Sequence, residues 1–146
     1  MQTSLLNYYR AWFPLSIRDR LRPLKHPVKT FLRSAILKIA DRKVLSGPFK
    51  GMKFTLENPD LPKLLGTYEL EIHSAIEGLE AHRFDQIINV GAGEGYYAVG
   101  AALKWPEAVV CAFEADQNKH PQILQLSQDN TVSDRVKIFG ICQVDD

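Results

Sequence analysis

At 146 residues with a hydrophobic fraction of 45%, the chain is bounded to one ordinary domain folded around one core, with the apolar content of a soluble globular protein. No run approaches the roughly 20 apolar residues of a membrane-spanning helix, and the N-terminus lacks the compact apolar core of a secretory signal, so the cytoplasm is the expected location. The total charge of +1 conceals an asymmetry: residues 1–50 hold eleven Lys or Arg against Asp19 and Asp41, a local +9, and the remainder carries −8.

Such a basic arm suits contact with something anionic, whether a membrane surface, a nucleic acid or the acidic body of the protein itself. From Leu5 to Phe13, Leu5, Leu6, Tyr8, Tyr9, Trp12 and Phe13 form a short amphipathic helix that breaks at Pro14. Its aromatics either dock onto the rest of the fold or lie on a lipid interface. Pro23 and Pro27 make residues 18–28 an irregular connector. The spacing of Phe31, Leu32, Ala35, Ile36, Ile39 and Ala40 predicts a helix over 30–45 that ends before Gly47-Pro48. Its Arg33, Lys38 and Arg42 read as a solvated face, because basic residues alone specify no nucleic acid.

Residues 49–56 alternate well enough to predict a β-hairpin or two short strands around Gly51. Asn58 to Pro62 reads as a turn. A helix is expected from Thr67, whose hydroxyl would cap it, with Glu69 and Glu71 in its first turn and Ile72, Ala75, Ile76 and Leu79 on one face. The chain thus divides into a basic helical segment (1–46), a hairpin and helix (47–82) and a final unit (83–146).

That final unit opens on a short apolar strand, Ile87, Ile88 and Val90, that stops at three glycines in five positions, Gly91, Gly93 and Gly95. Glycine there permits the dihedrals of a tight strand-to-helix turn and lets a ligand approach the main chain. The following helix, 97–104, would aim its unpaired N–H groups at that space, with Ala98, Ala101 and Ala102 small enough to pack close to the sheet. A second apolar strand, 108–113, stops at Glu114-Ala115-Asp116, and Asp116 caps a third helix with Pro121 in its first turn. Residues 136–141 form a third strand. Strand, helix, strand, helix, strand sets a right-handed parallel unit of order 3-2-1. Cys111 and Cys142, in apolar stretches without metal-like spacing, are expected as buried, reduced thiols, and no metal site is expected.

Two cofactors suit such a unit, a dinucleotide and S-adenosylmethionine. Both use an acidic residue at the end of the second strand for ribose hydroxyls, and Glu114 follows Gly91 at about the 20-residue offset expected. The glycines separate the two. The dinucleotide pattern wants its third glycine where this chain has Tyr96. Glu94, within the loop, would repel a pyrophosphate but not a sulfonium.

The segment Val90-Gly91-Ala92-Gly93-Glu94-Gly95-Tyr96-Tyr97, the Phe113-to-Asp116 strand end and the passage from Asn130 to Val136 resemble the first half of a class I S-adenosylmethionine-dependent methyltransferase. Gly66-Thr67-Tyr68-Glu69 and the Gly-Tyr-Tyr ending of the loop are similar to its FkbM-type branch. The resemblance covers roughly residues 47–146. It implies an α/β, Rossmann-like three-layer αβα fold, S-adenosyl-L-methionine as cofactor, and transfer of a methyl group to an unidentified acceptor. By it, Gly91, Ala92, Gly93, Glu94, Gly95 and Tyr96 would line the methionine part, Glu114 and Ala115 the ribose, and residues after the third strand the adenine. Tyr68, Glu69, Tyr96 and Tyr97 would border the sulfonium through ring faces and carboxylate. No residue is assigned as catalytic; His73 and His82 are the nearest candidate bases. The resemblance implies seven strands, and the chain supplies three, so a truncated product without a complete acceptor pocket is expected. The first strand is then left as an edge prone to self-association. Two further readings stay open: a fragment of an NAD-dependent oxidoreductase, and a non-catalytic interaction or membrane-associated module acting through the basic arm.

Overall fold

A computed structural model describes residues 31 and 33–143. The expected aromatic helix at 5–13 and the connector at 18–28 lie outside the described residues, as do Asp145 and Asp146. The chain divides into two compact units, Met1–Ile39 and Ala40–Asp146. The described residues of the first, 31 and 33–39, are helical.

In the second unit the helix ends at residue 40, short of the expected 45, because Asp41 and Arg42 adopt positive φ (46° and 57°). Lys43 then forms a single antiparallel bridge with Lys53, and the expected hairpin over 49–56 is absent. The reason lies in burial. Phe49, Met52 and Phe54 are all buried in the core, whereas an extended strand would turn Phe49 and Met52 to opposite faces. Successive turns, closed by Lys50 N–H to the Gly47 carbonyl and Met52 N–H to the Phe49 carbonyl (both 3.1 Å), point all three inward instead.

The expected turn at 58–62 is the start of a short helix, α1 (Leu61–Leu65), with Pro62 in its first turn and Gly66 closing it. Pro suits that position, since its missing N–H would be unpaired there in any case. Gly66 allows a close approach: a Cβ on it would lie 1.8 Å from the Ser46 carbonyl oxygen. Thr67 caps nothing downstream. Its N–H and hydroxyl both donate back to the Pro62 carbonyl, at 2.8 and 3.4 Å. The helix expected from Thr67 therefore begins late, with a 3-10 turn at Leu70–Ile72 followed by α2 (His73–Gly78).

The remaining elements follow the expected alternation: β1 (Gln86–Val90), α3 (Tyr96–Lys104), β2 (Val109–Phe113), α4 (His120–Asp129) and β3 (Val136–Phe139). β1 pairs in parallel with β2, and β2 with β3, in the register Ile88↔Cys111 and Cys111↔Lys137. β2 is therefore central, and its Val110 and Ala112 are fully buried. α3 packs against the sheet through Ala98, Val99 and Ala102, all at 0% exposure. α3 and α4 also pack on one another, which places both on one side of the sheet, as right-handed crossovers require. Among the described residues the sheet thus has two layers where three were expected. Its other face carries Ile88 (62% exposed) and Val90 (64%), beside the Phe113 and Phe139 rings, which stack at 5.0 Å. Cys111 is buried as expected; Cys142, expected buried, is exposed, because β3 ends at Phe139 before reaching it.

Asn130 ties the two parts of this unit together. Its Oδ1 accepts from Lys53 N–H at 2.9 Å, and its Nδ2 donates to the Lys53 and Leu126 carbonyls, each at 2.8 Å. The Thr55 hydroxyl donates to Asp129 beside it. No described helix is long and apolar enough to cross a membrane.

Candidate functional site

The turn between β1 and α3 is built by backbone geometry. Gly91, Gly93 and Gly95 have φ of 74°, 58° and 97°, a region that costs a side chain about 1–2 kcal/mol. The N–H groups of Gly91 and Ala92 both donate to the Phe113 carbonyl (2.8 and 2.9 Å), which anchors the turn to the end of β2. Gly95 is the N-cap of α3 and lies against α4, where an added Cβ would meet Ile123 at 3.2 Å. At Gly91 and Gly93 the same Cβ would meet nothing within 4 Å: these two glycines face open space.

That space is a cleft of about 390 Å³ at the carboxyl end of β1, bordered by Gly91 to Glu94, Tyr96 and Tyr97, by Tyr68 and Glu69, and by Lys63, Asn89 and Lys119. Of the residues singled out from sequence, Tyr68, Glu69, Gly91, Ala92, Gly93, Glu94 and Tyr96 meet there. Gly95, Glu114 and Ala115 do not border it.

Glu114 sits behind the turn. It is 8% exposed, its Oε2 accepts from Gly93 N–H at 2.6 Å, and its Oε1 accepts from Asp116 N–H at 2.9 Å. Those two backbone donors, Asp116 first and then Gly93, hold its carboxyl below the ordinary range despite its burial. Its shown role is to brace the turn from the end of β2. Asp116 caps the 3-10 turn Gln117–Lys119 through Asn118 N–H (3.1 Å), and α4 starts only after it. His120 Nε2–H donates to the Glu114 carbonyl at 2.8 Å, fixing the same corner from α4.

The cleft wall is aromatic and charged, with Glu69 and Glu94 set beside Lys63 and Lys119. Tyr96 lies edge-on to Phe49, Phe54, Tyr68 and Tyr97, with centroids 5.4 to 6.1 Å apart. The Tyr97 hydroxyl donates to Glu69 Oε2 at 2.5 Å. Burial and this carboxylate both push the Tyr97 hydroxyl pKa up, and Glu69 does the same to Tyr68. Lys63 and Glu94 form an ion pair at 2.5 Å. Burial pushes the Glu94 carboxyl up, but the bond from Lys63, with the backbone and the Lys119 charge, outweighs it and leaves it below the ordinary range.

Among the described residues, two buried side-chain atoms have no hydrogen-bond partner: Asn89 Oδ1 and the Tyr96 hydroxyl. Both residues border the cleft. Tyr96 is only 3% exposed, and burial pushes its hydroxyl up to about 12, so it is a neutral donor at physiological pH. Buried polar atoms are rarely left unpaired. His73, a candidate base, donates from Nε2–H to the Tyr68 carbonyl at 2.9 Å and holds the loop that carries the wall. His82 stacks on Phe84 and does not border the cleft. Among the described residues no cluster of three or more His, Cys, Asp or Glu is placed to hold a metal.

Lys63, Asn89 and Lys119 were not legible as site residues. Asn89 alone left a signal, a lone amide inside an otherwise apolar strand ending. Lys63 and Lys119 reach the cleft only through the placement of α1 and of the turn before α4. No family model and no curated protein matches this chain.

Proposed function

We propose that the cleft binds S-adenosylmethionine and that the unit is the cofactor-holding part of a methyltransferase with a Rossmann-like fold of the 3-2-1 type. The observation that carries the reading is the chemistry of the wall: the rings of Tyr68, Tyr96 and Tyr97 and the carboxylates of Glu69 and Glu94, gathered over a glycine turn at the carboxyl end of a parallel strand. Ligands of open α/β sheets bind outside the carboxyl ends of the strands, and ring faces with carboxylates suit a cation.

The residues present fit that cofactor. Gly91 and Gly93 leave room for a ligand against the main chain. Asn89 Oδ1 is an unpaired acceptor suited to an ammonium, and the Tyr96 hydroxyl is an unpaired donor suited to a carboxylate. Bound there, the cofactor supplies a methyl group on a positively charged sulfur. The chain's own contribution is to orient it and exclude water, the terms that dominate a displacement at carbon.

A dinucleotide fits less well. The close helix-to-strand packing that its third glycine provides is replaced here by the buried ring of Tyr96. Titration calorimetry of the full chain with S-adenosylhomocysteine and with NAD divides the two. Saturable binding of the thioether and none of NAD is expected; the reverse pattern, or binding of neither, overturns the reading.

A further inference from the structure

The cleft already contains a cation. Lys63, on α1, extends its ammonium to Glu94 Oε1 at 2.5 Å. The same nitrogen lies 4.7 Å from the centroid of the Tyr68 ring and 5.9 Å from that of Tyr96. The two side chains are 13% and 23% exposed, so the pair sits largely out of water, with the ammonium in contact with both carboxylate and rings. These are the partners that a sulfonium would need, and one positive charge is already using them.

We infer that Lys63 is a resident counter-cation of the cleft: a positively charged ligand enters only by displacing its ammonium from Glu94 and the tyrosine rings, whereas a neutral ligand of the same shape does not have to. The inference rests on the cofactor reading given above and makes Lys63 the residue that sets charge preference at that site. Two unit charges about 5 Å apart in a partly desolvated cleft repel by enough to change an affinity at least tenfold. S-adenosylmethionine and S-adenosylhomocysteine differ by one methyl group on sulfur and the positive charge that comes with it. Whatever attraction Lys63 exerts on the carboxylate common to both cancels in the ratio of their affinities. Lys63 therefore raises the affinity of the neutral, spent form of the cofactor relative to the methyl donor.

The test is calorimetric titration of both compounds into the full-length wild-type chain, Lys63→Met and Lys63→Arg. Methionine keeps the side chain's length and its contact with the rings while removing the charge; arginine keeps the charge. In Lys63→Met the affinity for S-adenosylmethionine relative to S-adenosylhomocysteine rises about tenfold or more, and in Lys63→Arg it stays within about threefold of wild type. If Lys63→Met loses its near-ultraviolet circular dichroism, Lys63→Gln, which still donates to Glu94, replaces it with the same expected rise. Binding of both compounds with an unchanged ratio in the neutral variants overturns the role of Lys63 and leaves the cofactor reading standing. Binding of neither compound to any of these proteins overturns both.

Discussion

Replacing Glu114 with glutamine removes one charge and one acceptor from the bracket that fixes the glycine turn to β2. The wild-type carboxylate accepts from Gly93 N–H at 2.6 Å and from Asp116 N–H at 2.9 Å while 8% exposed. In Glu114→Gln the amide oxygen keeps one of these bonds without its charge, and the amide nitrogen confronts the other N–H, donor against donor. Losing charge assistance on one bond and orphaning the second donor costs about 2–4 kcal/mol, or a fall in Tm of roughly 4–16 °C for a chain of this size. The pH dependence supplies the sharper check. The folded-state carboxyl is held below its ordinary range by Asp116 N–H first and Gly93 N–H second, against its burial. A depressed folded-state pKa contributes stability that is fully present above the unfolded value, about 4.3, and is lost as pH falls through the folded one. Urea unfolding of wild type and variant across acid pH should therefore show a gap that is full at neutral pH and narrows as the wild-type carboxylate protonates. A gap below about 0.5 kcal/mol at neutral pH, typical of an unremarkable surface change, or one that stays constant into acid, refutes the bracing role.

Three further outcomes are checkable by the same unfolding measurements. Tyr96→Phe leaves stability unchanged or raises it by about 0.5–1 kcal/mol, because the hydroxyl removed is buried without a partner. On the cofactor reading proposed above, the same variant weakens S-adenosylhomocysteine binding about two- to tenfold, the worth of one hydrogen bond; destabilisation with unaltered binding would place a structural partner on that hydroxyl. Gly100→Ala costs about 1–3 kcal/mol through overpacking, since the new methyl group would meet the Phe49 ring at 2.5 Å, and an alanine at least as stable as glycine would show that Phe49 is not seated on α3. Asn130→Ala costs about 2–4 kcal/mol, for it ends the three bonds to Lys53 and Leu126; a loss below about 0.5 kcal/mol would mean that the clamp contributes nothing to the fold.

The parallel unit was legible because its signals are local. Continuous apolar runs such as Val109–Phe113 belong to the central strand of a parallel sheet, and the glycines at 91, 93 and 95 announce a turn whichever ligand it serves. The strand order followed from the adjacency of consecutive strands taken together with right-handed crossovers. What failed upstream failed for a common reason: residues 41–72 are shaped by what they bury. Alternation over 49–56 looked like a hairpin, but the need to put Phe49, Met52 and Phe54 into one core imposed turns. Thr67 had the chemistry of a cap, yet its donors turn back to Pro62, and the left-handed backbone of Glu69, φ 49°, defers the helix. At the site, the turn and the acidic residue behind it could be placed from spacing, but how Glu114 spends its oxygens could not, because its two partners are backbone N–H groups whose direction depends on the finished turn. The ion pair of Lys63 with Glu94 spans 31 positions, and no pattern in the chain links the two.

The clamp between Lys53 and Asn130, 77 positions apart, has a consequence for how the protein comes into being. The glycine turn is closed by β1, α3 and the end of β2, but the wall of the cleft comes from α1 and the loop after it, just downstream of the segment that Asn130 secures. Contacts of such separation form late, because the loop must be closed before they repay it. On the ribosome, the turn and β2 are synthesised before Asn130, so the clamp on the wall's root can close only once α4 has left the exit tunnel. A small molecule that needs both halves cannot template the earliest steps of folding; it can only stabilise the finished unit by mass action.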